Sequence, residues 1–473
     1  MAVYPLYVGN KPVKTDNLFT VSSPYNGQTV GEISLAGEKE IEEAIKAAQE
    51  AFAVLKEMPA YKRSQILLQI KQGVEKRAEE LAQIMAQEAG KPITFARIEV
   101  SRCIELFQYA AEEVKRFEGK VLPIDLDKLS ENRLGIYKRF PIGPILCITP
   151  FNFPLNLVAH KVAPALAVGN PVIIRPSSAT PITALILGEI MAETDLPEGS
   201  FSVLPCSTEL AEKMVKDDRL AMLTFTGSPK VGWYLKSIAG RKRVTLELGG
   251  NAGLIIDSLR FKDFLLQRAA FGAFYQAGQV CISVQRIFVR EDLFKEFLEA
   301  FVERAKQTPA GDPMDEKTVV GPLINEAAAD RVEAWIKEAV EGGARLLCGG
   351  ERKGNVILPT VLTNTKPDMK VNALEVFGPV VTVEPYKEFK EAVAAVNNSI
   401  YGLQAGVFTD NLNHAFYAYQ KLDVGGVIIN DVPTYRSDPM PYGGVKQSGL
   451  GREGIRYAME EMSEGKIMVV KWD

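Results

Sequence analysis

Between Pro144 and Leu248 the sequence repeats one local theme. Short apolar runs at 145–148, 172–174, 201–204, 222–225 and 244–248 alternate with helical patterns at 159–168, 182–194, 208–216 and 229–240. Short apolar strands alternating with helices predict a parallel sheet covered on both faces. No other feature constrains the chain as much, because this one also says where a ligand would lie. In open α/β sheets ligands sit beyond the carboxyl ends of the strands. That rule selects four loops: 149–156, 175–181, 226–230 and 249–251.

After Asn251 a second α/β region follows. Strands are predicted at 254–256, 287–289, 345–347, 380–384, 405–408 and 426–429, and helices at 261–277, 293–306, 326–341 and 389–397. Before the first region, strands are expected at 4–8, 12–13 and 29–33. Ile41, Ala44, Ile45, Ala48 and Phe52 then fall at helical spacing. Leu67, Ile70, Val74, Leu81, Ile84 and Met85 mark one longer helix, and a third runs over 93–117. Residues 120–138 break this pattern and read as a hairpin arm. A helix at 455–462 precedes an alternating tail, 466–472. With no partner strand nearby in sequence, that tail is expected to pair with another subunit.

Composition excludes several function classes. A net charge of −4 gives no bulk attraction to nucleic acid or an anionic membrane. The N-terminus lacks a basic region followed by a long apolar stretch, so no signal peptide is expected. No apolar run is long enough to span a membrane. The five cysteines are odd in number and scattered, which suits a reduced, cytoplasmic protein. The only histidines are His160 and His414. A histidine-built zinc site is therefore nearly excluded, and a Cys-His hydrolase would have to use one of these two. His160 reads as a capping or packing residue at a helix start, and His414 as a surface residue.

One motif is misleading. Gly449-Leu-Gly-Arg-Glu-Gly454 matches G-x-G-x-x-G, but a loop precedes it and too few residues follow for a crossover. Thr226-Gly-Ser-Pro-Lys-Val-Gly232 is better placed, between a strand and a helix whose N-terminus could face a pyrophosphate.

Cys281 lies in Gly278-Gln-Val-Cys281, on the connection between the 261–277 helix and the 287–289 strand. Gly278 suits a left-handed residue just past a helix end. Functional residues concentrate on such connections. Taken alone, the cysteine reads as a small buried hydrophobe, as most free cysteines are.

Three loops then occur in order: Pro150-Phe-Asn-Phe-Pro154, Leu246-Glu-Leu-Gly-Gly250 and Gly278-Gln-Val-Cys281. Glu375-Val-Phe-Gly-Pro379 and Pro441-Tyr-Gly-Gly444 follow. With these motifs the chain resembles the aldehyde dehydrogenase superfamily over nearly its whole length. Pro176-Ser-Ser178, the run from Cys281 to Val284 and the stretch from Met440 to Gly454 look most like the archaeal-type lactaldehyde dehydrogenase branch.

The resemblance implies an α/β fold with three parts. A Rossmann-like, five-stranded cofactor domain would take 1–119 and 142–248, and an α/β catalytic domain 249–440. Bridging and oligomerisation segments would take 120–141 and 441–473. It implies NAD(P)-dependent oxidation of a small aldehyde to the acid, with Cys281 as nucleophile. Asn152 and the Cys281 backbone N–H would hold the oxyanion, and Glu247 would activate water against the thioester. A carboxylate there separates hydrolysis from transfer to coenzyme A. The implied cofactor contacts are Thr149, Pro150, Phe151, Arg175, Ser177, Ser178, Gly227, Ser228, Leu248, Gly249, Glu375 and Phe377, with no metal.

In NAD enzymes an acid near Ser178 binds the ribose hydroxyls and would repel a 2′-phosphate. Serine stands there, and Arg175 where lysine is usual, so NADP is favoured and dual use with NAD is expected. The family forms dimers or tetramers through its arm, so a homo-oligomer, a dimer or a homotetramer, is expected. The aldehyde is left open among lactaldehyde or a similar short polar aldehyde, succinic semialdehyde and glyceraldehyde 3-phosphate. Val280 stands where non-phosphorylating glyceraldehyde-3-phosphate dehydrogenases carry arginine, which weakens the last. Arg286, Tyr435 and Arg436 either orient a polar substrate or serve as surface or inter-subunit residues. The rivals are a CoA-acylating dehydrogenase and a catalytically silent member of the fold.

Overall fold

The computed structural model describes residues 3–473. Its centre is an eight-stranded sheet. Five neighbouring strands are parallel: Arg243–Glu247, Met222–Thr226, Ile145–Ile148, Val172–Arg175 and Phe201–Val203, in that order across the sheet. These are the five apolar runs that alternate with helices between Pro144 and Leu248. Leu6–Val8 and Lys11–Val13 extend one edge antiparallel, and Gly449–Leu450 closes the other. The false fingerprint at 449–454 is thus an edge strand and a turn, not a phosphate loop.

Helix Asn156–Val168 is buried along its entire length, and Ile182–Ala192 nearly so. Helices apolar on every side belong inside a protein. Their N-termini would strand backbone N–H groups there, and two buried glutamates prevent this. Glu99 accepts from the Leu155 and Asn156 N–H groups at 3.0 and 2.9 Å. Glu88 accepts from those of Ile182 and Thr183 at 2.9 and 3.0 Å.

The second sheet has seven strands. Thr360–Thr363, Val380–Tyr386, Val284–Arg290, Ala252–Ile256, Gln404–Phe408 and Gly426–Ile429 are parallel, and Arg345–Cys348 is an antiparallel edge. The third sheet is the arm. Lys120–Leu122 and Arg133–Pro141 form the expected hairpin, and Ser463–Lys471 pairs antiparallel with Arg133–Pro141 over nine residues. The tail was expected on another subunit but finds its first partner in its own chain. Some 320 residues separate the two strands, so no local pattern links them. Its other edge carries no partner among the described residues.

Two helix expectations need correction. The helix through 67–85 is two, Ala60–Lys76 and Ala78–Ala89, parted at Arg77. Arg77 leaves helical geometry (φ −108°, ψ 20°) and pairs with Glu80 and Glu189. The helix expected over 261–277 stops at Phe274. Beyond it Gln276 and Ala277 take positive φ (52° and 55°), which helical periodicity cannot signal.

Candidate active site

Cys281 sits on a connection held from several sides. Gln276, Ala277 and Gly278 are successive left-handed residues. Each non-glycine in that state costs about 1–2 kcal/mol and persists only where surroundings enforce it. Those surroundings are visible. The Gln276 side chain donates to the Asn152 carbonyl. Gln279 donates to the Pro322 carbonyl at 3.2 Å and accepts from the Ile324 N–H at 3.0 Å. A Cβ on Gly278 would lie 2.1 Å from the Gly378 oxygen, and one on Gly250 2.1 Å from the Cys281 oxygen. Glycine is required at both.

Asn152 and Glu247 come to this loop from the carboxyl ends of first-sheet strands. The Asn152 amide donates to the Gln279 carbonyl at 2.9 Å, two residues before the cysteine. Glu247 is buried, and neither carboxyl oxygen has a partner among the described residues. Burial pushes its carboxyl well above the ordinary range, and Glu453 adds to this. Burial likewise pushes the Cys281 thiol up to about 12, while the Tyr442 hydroxyl and the Arg436 charge oppose it. The Tyr442 oxygen lies 3.1 Å from Sγ.

A cavity of about 170 Å3 opens at Cys281. Phe95, Phe153 and Tyr275 line it together with Arg102 and Arg436. Arg102 donates from Nε to Asp438 at 3.2 Å, and His160 Nε2 lies 3.0 Å from the same carboxylate. Arg436 donates to Glu453 at 3.1 Å, and so does Lys161 at 2.9 Å. Burial pushes Glu453 up, yet Lys161 and Arg436 together bring it down to about 2. Burial and then Arg436 hold His160 below its ordinary value. Arg102, Arg436 and Lys161 thus face two carboxylates held low, Asp438 and Glu453.

This corrects the two histidines. His160 neither caps nor merely packs, since it lies in the buried charge cluster behind the cavity. His414 is half-buried, 2.8 Å from Asp257 and stacked on Phe389 at 4.2 Å. Arg286 is not a substrate residue: it is buried and donates to the carbonyls of Asn251, Ala395 and Val396. Tyr435 is exposed and does not line the cavity. Of the three left open, only Arg436 reaches it. Arg102 carries no motif. Its one sequence signal is spacing, since Phe95, Ile98 and Arg102 share a face of helix Ile93–Glu113.

The expected cofactor residues gather on the other side. Thr149 follows strand Ile145–Ile148, and its N–H donates to the Arg175 carbonyl at 3.2 Å. Phe151 meets Phe377 edge to face at 5.9 Å, next to the half-buried Pro150. Glu375 accepts from the Gly250 N–H at 2.8 Å, and burial pushes it up to about 7. A Cβ on Gly249 would lie 2.3 Å from Glu375. Leu248 is buried and donates from its backbone to Ser448. The Gly227 N–H donates to the Glu247 carbonyl at 3.0 Å, and a Cβ there would strike the Phe225 ring.

These loops fit a dinucleotide. Among the described residues, Thr226 Oγ1 and Arg175 Nε are buried without partners, and Ser228 starts helix Pro229–Ile238 with no side-chain cap bond. Arg175 also donates from Nη2 to the Cys206 carbonyl at 3.2 Å, so one arm of its fork is fixed inward. Ser177 accepts from the Ala179 N–H, and Ser178 is exposed.

Comparison with known proteins agrees with this geometry. Residues 12–468 match the aldehyde dehydrogenase family. The 3-sulfolactaldehyde dehydrogenase of Priestia aryabhattai is 44% identical, over 99% of this chain and 98% of its own. The lactaldehyde dehydrogenase of Methanococcus aeolicus is 40% identical, over 95% and 96%. Aldehyde dehydrogenase 21 of Physcomitrella patens, solved with the reaction product succinate, superimposes with a TM-score of 0.98. It is 46% identical, and 99% of this chain and 98% of that one are covered.

Proposed function

The chain belongs to the aldehyde dehydrogenase family, and from that premise we propose that it oxidises a short aldehyde carrying an anionic group at its far end. Oxidation of a small aldehyde to the acid is the family reaction. The anionic tail is carried by one observation: Arg102 and Arg436 line the same cavity as Cys281. Each is anchored by one carboxylate, and a guanidinium has five N–H donors, so both keep donors to offer. A carboxylate or sulfonate fits that fork. The succinate held by the moss enzyme and the sulfonated substrate named for the Priestia relative have this form.

The roles proposed for the site follow from its chemistry. Cys281 Sγ attacks the carbonyl carbon, and the pair of electrons moves to oxygen. One N–H of the Asn152 amide is committed to Gln279 and the other is free for this oxyanion. The Cys281 backbone N–H, unbonded among the described residues, is the second donor. NAD or NADP, when bound, would supply the acceptor for the hydride given up as the thiohemiacetal on Cys281 becomes a thioester. Glu247 then takes a proton from water, whose oxygen adds to the thioester carbon, and the C–S bond breaks to release the acid and return the electron pair to Cys281 Sγ. Burial raises its proton affinity, which strengthens it as a base once it is ionised.

The cofactor would lie along Thr149, Phe151, Gly227, Ser228 and Gly249, with its nicotinamide end between Glu375 and Phe377. The loop Arg175-Pro-Ser-Ser178 carries no acid, and this supports NADP with dual use. We read 1–119 and 142–248 as the cofactor unit, 249–440 as the catalytic unit, and 120–141 with 441–473 as the bridge. The arm exposes Ile467, Met468, Val469 and Val470, which supports a homo-oligomer built on it. No helix of the described residues is long and apolar enough to cross a membrane. Five free cysteines fit a cytoplasmic setting.

The test compares kcat/KM for succinic semialdehyde and 3-sulfolactaldehyde with lactaldehyde and propanal. The anionic pair should lead by about tenfold or more, roughly one ion-paired hydrogen bond. Equal values would overturn the anionic assignment.

A further inference from the structure

The Cys281 thiol is half-buried at its cavity, has to lose its proton in a place that disfavours charge, and is touched by neither histidine. His160 engages Asp438 and Arg436, and His414 engages Asp257. The one side chain within hydrogen-bond distance of Sγ, among the described residues, is Tyr442 at 3.1 Å.

The tyrosine cannot swing away. It is 4% exposed, and its backbone exchanges hydrogen bonds with Glu453 at 3.0 and 2.7 Å. Arg436 lies over its ring, 3.7 Å from the centroid, and is itself held by Glu453. A cation on the ring face draws electron density from the phenol and strengthens its O–H as a donor. The sulfur dictates the direction of the bond. A thiol donates weakly, whereas a thiolate only accepts, so the hydroxyl must donate to it.

We propose that Tyr442 is a catalytic residue whose O–H donates a hydrogen bond to the Cys281 thiolate and so sets the fraction of enzyme with an attacking sulfur. The proposal rests on Cys281 being the nucleophile. The other charged groups that bear on this sulfur are Arg436, which favours the thiolate, and Glu375 and Glu247, which oppose it. Burial is the largest influence against the thiolate, and the tyrosine is the largest of those in its favour. On deprotonation the Sγ proton leaves to solvent, and the phenol turns from acceptor to donor. When sulfur gives its electron pair to the carbonyl carbon, the negative charge passes to oxygen and the bond weakens.

The test is the pH dependence of alkylation of Cys281 by iodoacetamide in the full-length enzyme, with the labelled peptide identified by mass. Tyr442→Phe keeps the ring beneath Arg436 and removes only the hydroxyl. Its alkylation midpoint should rise by about one to two pH units, or about 10- to 100-fold less thiolate at a given pH below the midpoint. Fluorotyrosine at position 442, a more acidic donor, should move the midpoint down and guards against a poorly folded phenylalanine variant. Unchanged midpoints in both, with Cys281 still the labelled and essential thiol, would overturn the proposal. Failure of the nucleophile reading looks different: Cys281→Ala would still turn over.

Discussion

Glu88 lies at the N-terminus of helix Ile182–Ala192, and Glu247 at the carboxyl end of strand Arg243–Glu247. Both side chains are buried. Glu88 accepts from two backbone N–H groups and from the Thr183 hydroxyl. Burial pushes it up, those bonds oppose the push, and it settles at about 7. Glu247 has the burial without the bonds, and its carboxyl stands well above the ordinary range. One residue type at one depth thus behaves in two ways: hydrogen bonds hold Glu88 down, while Glu247 lacks them and has the Glu453 charge beside it. Where a buried charge holds a helix end, the fold satisfies it. Where a proton has to move, the fold leaves the oxygens free.

The sharpest break of this comparison is Cys281→Ala, which removes the partner that Glu247 serves. Turnover should fall by about a thousandfold or more while NADP binding and Tm stay near wild type. Turnover within tenfold of wild type would remove the cysteine from the reaction. Glu247→Gln comes next. Steady-state turnover should fall by about a hundredfold, with a burst of reduced cofactor before the slow phase. Stability should hold or rise, because an unsatisfied buried carboxyl is replaced by a neutral amide.

Glu88→Gln should do the reverse, lowering stability by about 1–3 kcal/mol with little change in kcat per folded enzyme. It should also change the pH dependence of stability. The Glu88 proton affinity is raised on folding, from 4.5 to about 7. The folded state therefore binds more protons. The group's contribution is complete below pH 4.5 and is lost as pH rises through about 7. Denaturation curves across that window should flatten in the glutamine variant, and an unchanged slope would show that Glu88 does not titrate there.

Smallest is Ser178→Glu, placed where a carboxylate is exposed rather than buried. The NAD-to-NADP ratio of kcat/KM should move toward NAD by about tenfold, about 1.4 kcal/mol. An unmoved ratio would place cofactor choice outside this loop.

What could be read in the sequence was local. Five apolar runs gave the parallel sheet, and its carboxyl-end loops carry Asn152 and Glu247. Gly278 was readable as a left-handed residue because glycine allows it. Gln276 and Ala277 were not, because only tertiary bonds hold them there. The break at Arg77 was hidden because apolar spacing continues across it. Least legible was the charge cluster. Arg102 meets Asp438 across 336 residues, and Lys161 meets Glu453 across 292. No spacing rule reaches that far, so Arg102 passed as an ordinary helix residue.

The measurement closest to the central claim is direct mass analysis of the Glu247→Gln enzyme, quenched in acid during turnover of succinic semialdehyde with NADP. The account predicts an acyl group in thioester linkage on the peptide that contains Cys281, formed in step with the burst of reduced cofactor. A burst without that adduct, or an adduct on another cysteine, would contradict it.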